Sequence, residues 1–121
     1  MVEVKKVFTD EPVVQKIEKD KTKGLFVSVG GSGDILTSSD GTSWSRTSGT
    51  PDDLRGVTYG NGLFVTVGDG STILTSSIGT SWTERTSGIS QYLHLIGVTY
   101  GNGLFVTVGQ SGTILTSSDG N

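Results

Sequence analysis

The side chains in this chain that could do chemistry are few and scattered. Histidine occurs once, at His94, and cysteine not at all. A thiolate metal site, a disulfide and a Cys–His nucleophile are therefore excluded. No His-x-x-x-His pair and no clustered acids suggest a metal, and no cofactor is expected. Asp52-Asp53 follows Pro51 and reads as the polar start of a loop rather than as a cation site. The cations after Gly24 are Arg46, Arg55 and Arg85. Catalysis needs a base, a nucleophile or a metal converging on one pocket. This inventory supplies no such set, so the expectation is a protein that is not an enzyme.

Binding is the better use of what remains. Arg55, Tyr59 and Tyr100 lie in short β-prone segments, and Tyr92 and His94 in a longer loop. These five residues are the candidates for ligand contact. Trp44 and Trp82 could stack on sugars, but large rings on repeated strands are better explained by packing. The glycine-rich strings Gly60-Asn-Gly62 and Gly68-Asp-Gly70 could suggest a phosphate cradle. No helix follows either, so they read as turns.

The elements that must position these residues are repeated. VTYGNGLFVTVG at Val57–Gly68 recurs unchanged at Val98–Gly109, and GLFVSVG from Gly24 is a diverged third copy. Each is followed by a similar tail: DILTSSDGTSW from Asp34, TILTSSIGTSW from Thr72 and TILTSSDGN from Thr113. The spacings, 38 and 41 residues between Gly24, Gly62 and Gly103, mark an array of supersecondary units.

Within the second copy, Leu54–Tyr59, Leu63–Val67, Thr72–Ser76 and Ser81–Arg85 read as strands. Asn61-Gly62 is a strong hairpin signal. Leu63, Val65 and Val67 alternate with Phe64 and Thr66, so both faces of the sheet carry apolar groups. Such sheets must stack. The fold class expected is all-β: β-propeller blades of four antiparallel strands, about three per chain. A β-solenoid is the competitor, disfavoured by the hairpin turns. The predicted blades span about 13–48, 54–88 and 95–119 of a single domain, 1–121.

Ser38-Ser-Asp-Gly-Thr-Ser-Trp44 resembles the Asp-box, or BNR repeat, in a shortened variant. Asp40, Trp44, Trp82 and Asp119 hold the motif positions, and Ile78 replaces the aspartate in the second copy. The resemblance implies a propeller similar to those of sialidases and photosystem II assembly factors. In that family the motif is a structural hairpin remote from active sites. A sialidase-like glycosidase would need an arginine triad near the axis. Arg46 and Arg85 fall instead on outer strands.

Three blades cannot close a ring. Val2–Phe8 reads as a further strand without a blade, and the third copy stops before its tryptophan. Two chains head to tail would give a six-bladed homodimer, with each N-terminal strand completing the partner's last sheet. A fragment of a longer propeller, or an assembly with no evolved ligand, is the competing reading. Val13–Lys19 must then supply the first inner strand, although its charge and Asp10/Pro12 also allow a short helix.

The net charge of −3 gives no reason to expect nucleic acid. All six lysines precede Gly24, as a solvated leader or a basic contact surface. No apolar run suits a signal peptide or membrane span, which predicts a soluble chain, cytoplasmic by default. The expected partners are a second copy and a protein or glycan ligand bound by the long loop Gly88–Ile96, not nucleic acid or membrane.

Overall fold

A computed structural model describes residues 14–19, 24–48, 50–89 and 92–120. The predicted strand Val2–Phe8 and residue Val13 lie outside them. Among these described residues eleven strands form three antiparallel meanders. The first sheet holds β1 (Val14–Lys19), β2 (Phe26–Gly30), β3 (Asp34–Ser38) and β4 (Ser45–Ser48) in that order. The second holds β5 (Leu54–Gly60), β6 (Leu63–Gly68), β7 (Thr72–Ser76) and β8 (Thr83–Arg85). The third holds β9 (Leu95–Gly101), β10 (Leu104–Gly109) and β11 (Ile114–Ser117). Residues 14–19 thus form a strand, and the helical alternative fails there despite the charge.

Local chemistry sets these elements. Asn61 and Gly62 have φ of 50° and 75°, and Asn102 and Gly103 have 52° and 77°. Positive φ at both central residues is what a type I′ hairpin needs. Between the second and third strands of each sheet lies a 3₁₀-type turn: Gly31–Gly33, Asp69–Ser71 and Gln110–Gly112. Two successive residues in each take positive φ: Ser32 and Gly33, Gly70 and Ser71, and Ser111 and Gly112.

Burial follows the alternation. Phe64, Val57 and Leu74 point from the second sheet toward Val27, Val29 and Ile35 of the first. Val65 and Val67 point the other way, toward Leu95 and Phe105 of the third. The second sheet is therefore covered on both sides, as its two apolar faces require. Each fully buried side chain of this size contributes roughly 1.5–3 kcal/mol of transfer free energy. Among the described residues no helix is long and apolar enough to cross a membrane.

The register repeats with the sequence. Val67 pairs with Ile73 in the second sheet, and Val108 pairs with Ile114 in the third. Their surroundings differ. Val67 is 1% exposed, whereas Val108 is 46% and Ile114 66% exposed.

Candidate functional site

The second and third sheets each have two ends. The Asn-Gly hairpins lie at one. The 3₁₀-type turns and the loops entering the inner strands lie at the other, because Leu54 pairs with Gly68 and Leu95 with Gly109. Arg55 is the second residue of β5, at the turn end, and Tyr59 sits four residues on, about 13 Å away along an extended strand.

The five candidates therefore divide. Tyr59 and Tyr100 are drawn into packing. The Tyr59 ring is 4.7 Å from Phe64, and the Tyr100 ring 4.6 Å from Phe105. Tyr100 also lies against Gly60, where an added Cβ would fall 2.1 Å from its Cγ. Arg55, Tyr92 and His94 come together at the turn end.

Asp69 links two of the three. It opens the second 3₁₀-type turn, and its carboxylate accepts from Arg55 Nε at 2.5 Å and from Nη2 at 3.2 Å. His94 Nδ1 lies 3.0 Å from the same Asp69 oxygen. The hydrogen bond from Arg55 holds the Asp69 carboxyl below its usual range. Partial burial opposes this shift, and the charges of Arg55 and then His94 add to it. The Arg55 guanidinium is correspondingly pushed up by Asp69.

Tyr92 is the exposed member. It is 70% accessible, yet it is held. Its hydroxyl donates to Asp52 Oδ1 at 3.0 Å, across 40 residues of sequence. That bond and the Asp52 charge raise the phenol's pKa. The ring rests over Gly70, which has φ of +68°; a Cβ there would fall 2.7 Å from Cε2. His94 meets the ring edge-on, with centroids 6.4 Å apart.

The loop backbone is pinned as well. Ser71 N–H donates to the Leu93 carbonyl at 2.6 Å, and Gln110 N–H to the His94 carbonyl at 3.0 Å. The His94 N–H in turn donates to Gln110 Oε1 at 3.1 Å. Beside Tyr92 lies an open depression of about 580 Å³, lined by Gly70, Ser71, Glu84, Arg85, Thr86 and Ile89 among others. Among the described residues no group of His, Asp or Glu could hold a metal ion.

By sequence alone Asp52 reads as a loop start and Asp69 as part of a turn, and neither reads as a site residue. A signal for Asp69 existed in the aligned copies. Arg55 and Asp69 of the second correspond to Ile96 and Gln110 of the third, so the charged pair is exchanged as a pair.

The motif residues lie at the opposite end. Asp40 Oδ1 accepts from the backbone N–H of Ser43 and Thr42 at 2.9 Å each, and from Ser38 Oγ. These bonds, led by the one from Ser43, hold its carboxyl far below the usual range. Asp119 repeats the bond from Ser117 Oγ at 3.0 Å. Ile78 lacks a carboxylate, yet its turn keeps the Gly79 N–H bond to Ser76 Oγ and the Trp82 Nε1 bond to the Gly79 carbonyl. Trp82 packs on the cluster between the first two sheets, and Trp44 lies 6.5 Å from Phe26.

No protein-family model and no curated protein matches the chain. Solved structures do. One is YCF48 bound to D1 peptide, with a TM-score of 0.77 and 16% identity, covering 90% of this chain and 37% of that one. Another is the WD40 β-propeller domain of Doa1, at 0.66 and 18%, covering 91% and 38%. The chain thus spans well under half the length of either. At such identities the likeness speaks for the fold alone, and the fold is that of a β-propeller.

Proposed function

We propose that this chain is a non-catalytic propeller scaffold that binds a protein segment at the turn end of its sheets. Tyr92, His94 and Arg55 are its contact residues, and Asp52 and Asp69 brace them. The observation that carries this reading is Tyr92: a ring 70% exposed and yet fixed by Asp52 and Gly70, at the rim of an open depression. A pre-positioned aromatic offers contact area at little entropic cost. The neighbour that holds a D1 peptide fits a peptide rather than a glycan ligand. Tyr59 and Tyr100 are assigned to packing.

The test is an array of random twelve-residue peptides beside a glycan array. The expected outcome is peptide binding that falls at least tenfold in Tyr92→Ala and in His94→Ala. Unchanged binding in both variants would refute the site. A sialidase-like activity is the second reading in kind. Nothing in the cluster supports it, and fluorogenic glycosides should show no turnover.

Assembly belongs to the same proposal. Two chains close a six-bladed homodimeric ring, which would cover the outward face of the third sheet. Ile96, Leu104, Val108 and Ile114 of that sheet are all at least 39% exposed. The Asp40 and Asp119 turns are read as Asp-box hairpins with a structural role, a reading supported by the bond each carboxylate accepts from the serine two residues before it.

A further inference from the structure

The first two sheets end in an outer strand, β4 and β8, while β11 has no outer neighbour among the described residues. Beneath that edge, between the second and third sheets, is a cavity of about 60 Å³ lined by Phe105, Leu115, Ser117, Arg85 and Gly120 among others. At the second sheet the corresponding place is filled by Trp82, which directly precedes β8.

We propose that residues Val4–Phe8 of a second copy pair with β11 as its fourth strand, with Val4 entering this cavity. The inference rests on the two-chain reading above and gives it a register.

Connection length fixes the segment. Five residues separate β4, ending at Ser48, from β5, beginning at Leu54. Five residues likewise separate Phe8 from β1 at Val14. Lys5–Phe8 therefore corresponds to Ser45–Ser48, and Val4 to Trp44.

Chemistry agrees with the length. Ile35 pairs with Thr47 and Leu36 with Arg46, while Leu74 pairs with Glu84. Carried to β11, Val7 faces Ile114 and Lys6 faces Leu115. The position opposite this leucine is charged in all three cases: Arg46, Glu84 and Lys6. Val7 sets an apolar partner against Ile114, which is 66% exposed. Val4 falls beside Ser117, on the face that lines the cavity.

Distance selects a second copy over the same chain. The step from Phe8 to Val14 spans at most about 22 Å when fully extended. The second sheet stands between β1 and the third sheet, packed against β1 on one side and β9 on the other through β5. Two sheet spacings of about 10 Å and three strand spacings of about 4.8 Å put the target about 25 Å from β1. One sheet spacing in place of two gives about 17 Å, which the chain can bridge, as it does from Ser48 to Leu54.

A cysteine pair in a chain that has none tests this. Val7→Cys with Ile114→Cys is oxidised and run without reductant, beside each single variant and Val7→Cys with Leu104→Cys. The expected result is at least tenfold more disulfide-linked dimer in the first pair than in any other. A disulfide within one chain, or equal yields throughout, would overturn the pairing. Light scattering on the unaltered chain separates the two failures. A mass near twice 12.6 kDa without the selective cross-link sinks the strand register and leaves the ring. A mass of one chain sinks both. Val4→Asp, checked for folding by circular dichroism, should lower the dimer fraction at least tenfold, and an unchanged fraction would remove Val4 from the cavity.

Discussion

Asp69 joins β5 to the loop before β9, because one carboxylate meets both Arg55 and His94. Its side chain is mostly shielded, whereas Arg55 is a third exposed, so solvent screens much of the pair's attraction. Asp69→Asn should therefore cost only about 1 kcal/mol at neutral pH, read by urea denaturation. The sign with pH follows from the lowered carboxyl. A group held below its ordinary value stabilises the fold above that value, 3.8, and loses its contribution as the pH falls through its folded pKa. The gap between parent and variant should therefore narrow steadily below pH 3.8. A gap independent of pH would show that the loss is packing and not charge. Tyr92 gives a second handle. Its phenol is raised by donating to Asp52, so Asp52→Asn should bring the tyrosine titration, followed by ultraviolet absorbance, back toward 10.0. Of these residues Tyr92, His94 and Arg55 were legible in the sequence as rare side chains in an otherwise repeated chain. Asp52 and Asp69 were not, since aspartates suit turns on local grounds and their partners lie up to 40 residues away.

At the scale of elements, the near-identical copies provide matched controls. Gly60 and Gly101 follow the same Val-Thr-Tyr and precede the same Asn-Gly. A Cβ at Gly60 would fall 2.1 Å from Tyr100 Cγ, whereas nothing lies within 4 Å of one at Gly101. Gly60→Ala should cost about 1–3 kcal/mol through forced displacement of the ring. Gly101→Ala should stay within about 0.5 kcal/mol by thermal unfolding when both variants are made in the single-chain Val108→Lys background, where that face is open. Equal costs would mean that strand propensity, not packing between sheets, decides the position. The pair also shows how far sequence reaches. Repeat period, Asn-Gly turns and alternation were enough to outline the three meanders and the two-sided burial of the second. They could not decide residues 14–19, whose charges suit a helix as well. Pairing with β2 made that segment a strand, and a partner 7 to 16 residues along the chain is not encoded in the segment itself.

For the whole molecule, Val67 and Val108 put the question most sharply. They occupy the same place in the same sequence, yet one is 1% and the other 46% exposed. The difference lies in what stands beside each sheet. A face that is covered in one copy and open in the next is already shaped for a neighbour of the same kind, and leaving it wet invites association. Val67→Lys should unfold the chain, because the charge would be buried without a partner. Val108→Lys should leave circular dichroism unchanged while reducing the solution mass to that of one chain. The unaltered protein should also melt at a temperature that rises with its concentration, since folding and association are then linked by mass action. Val108→Lys should lose that dependence. If the melting temperature of the unaltered chain is the same across a hundredfold range of concentration, the third sheet is stable with its face in water, and the ring has no thermodynamic reason to form.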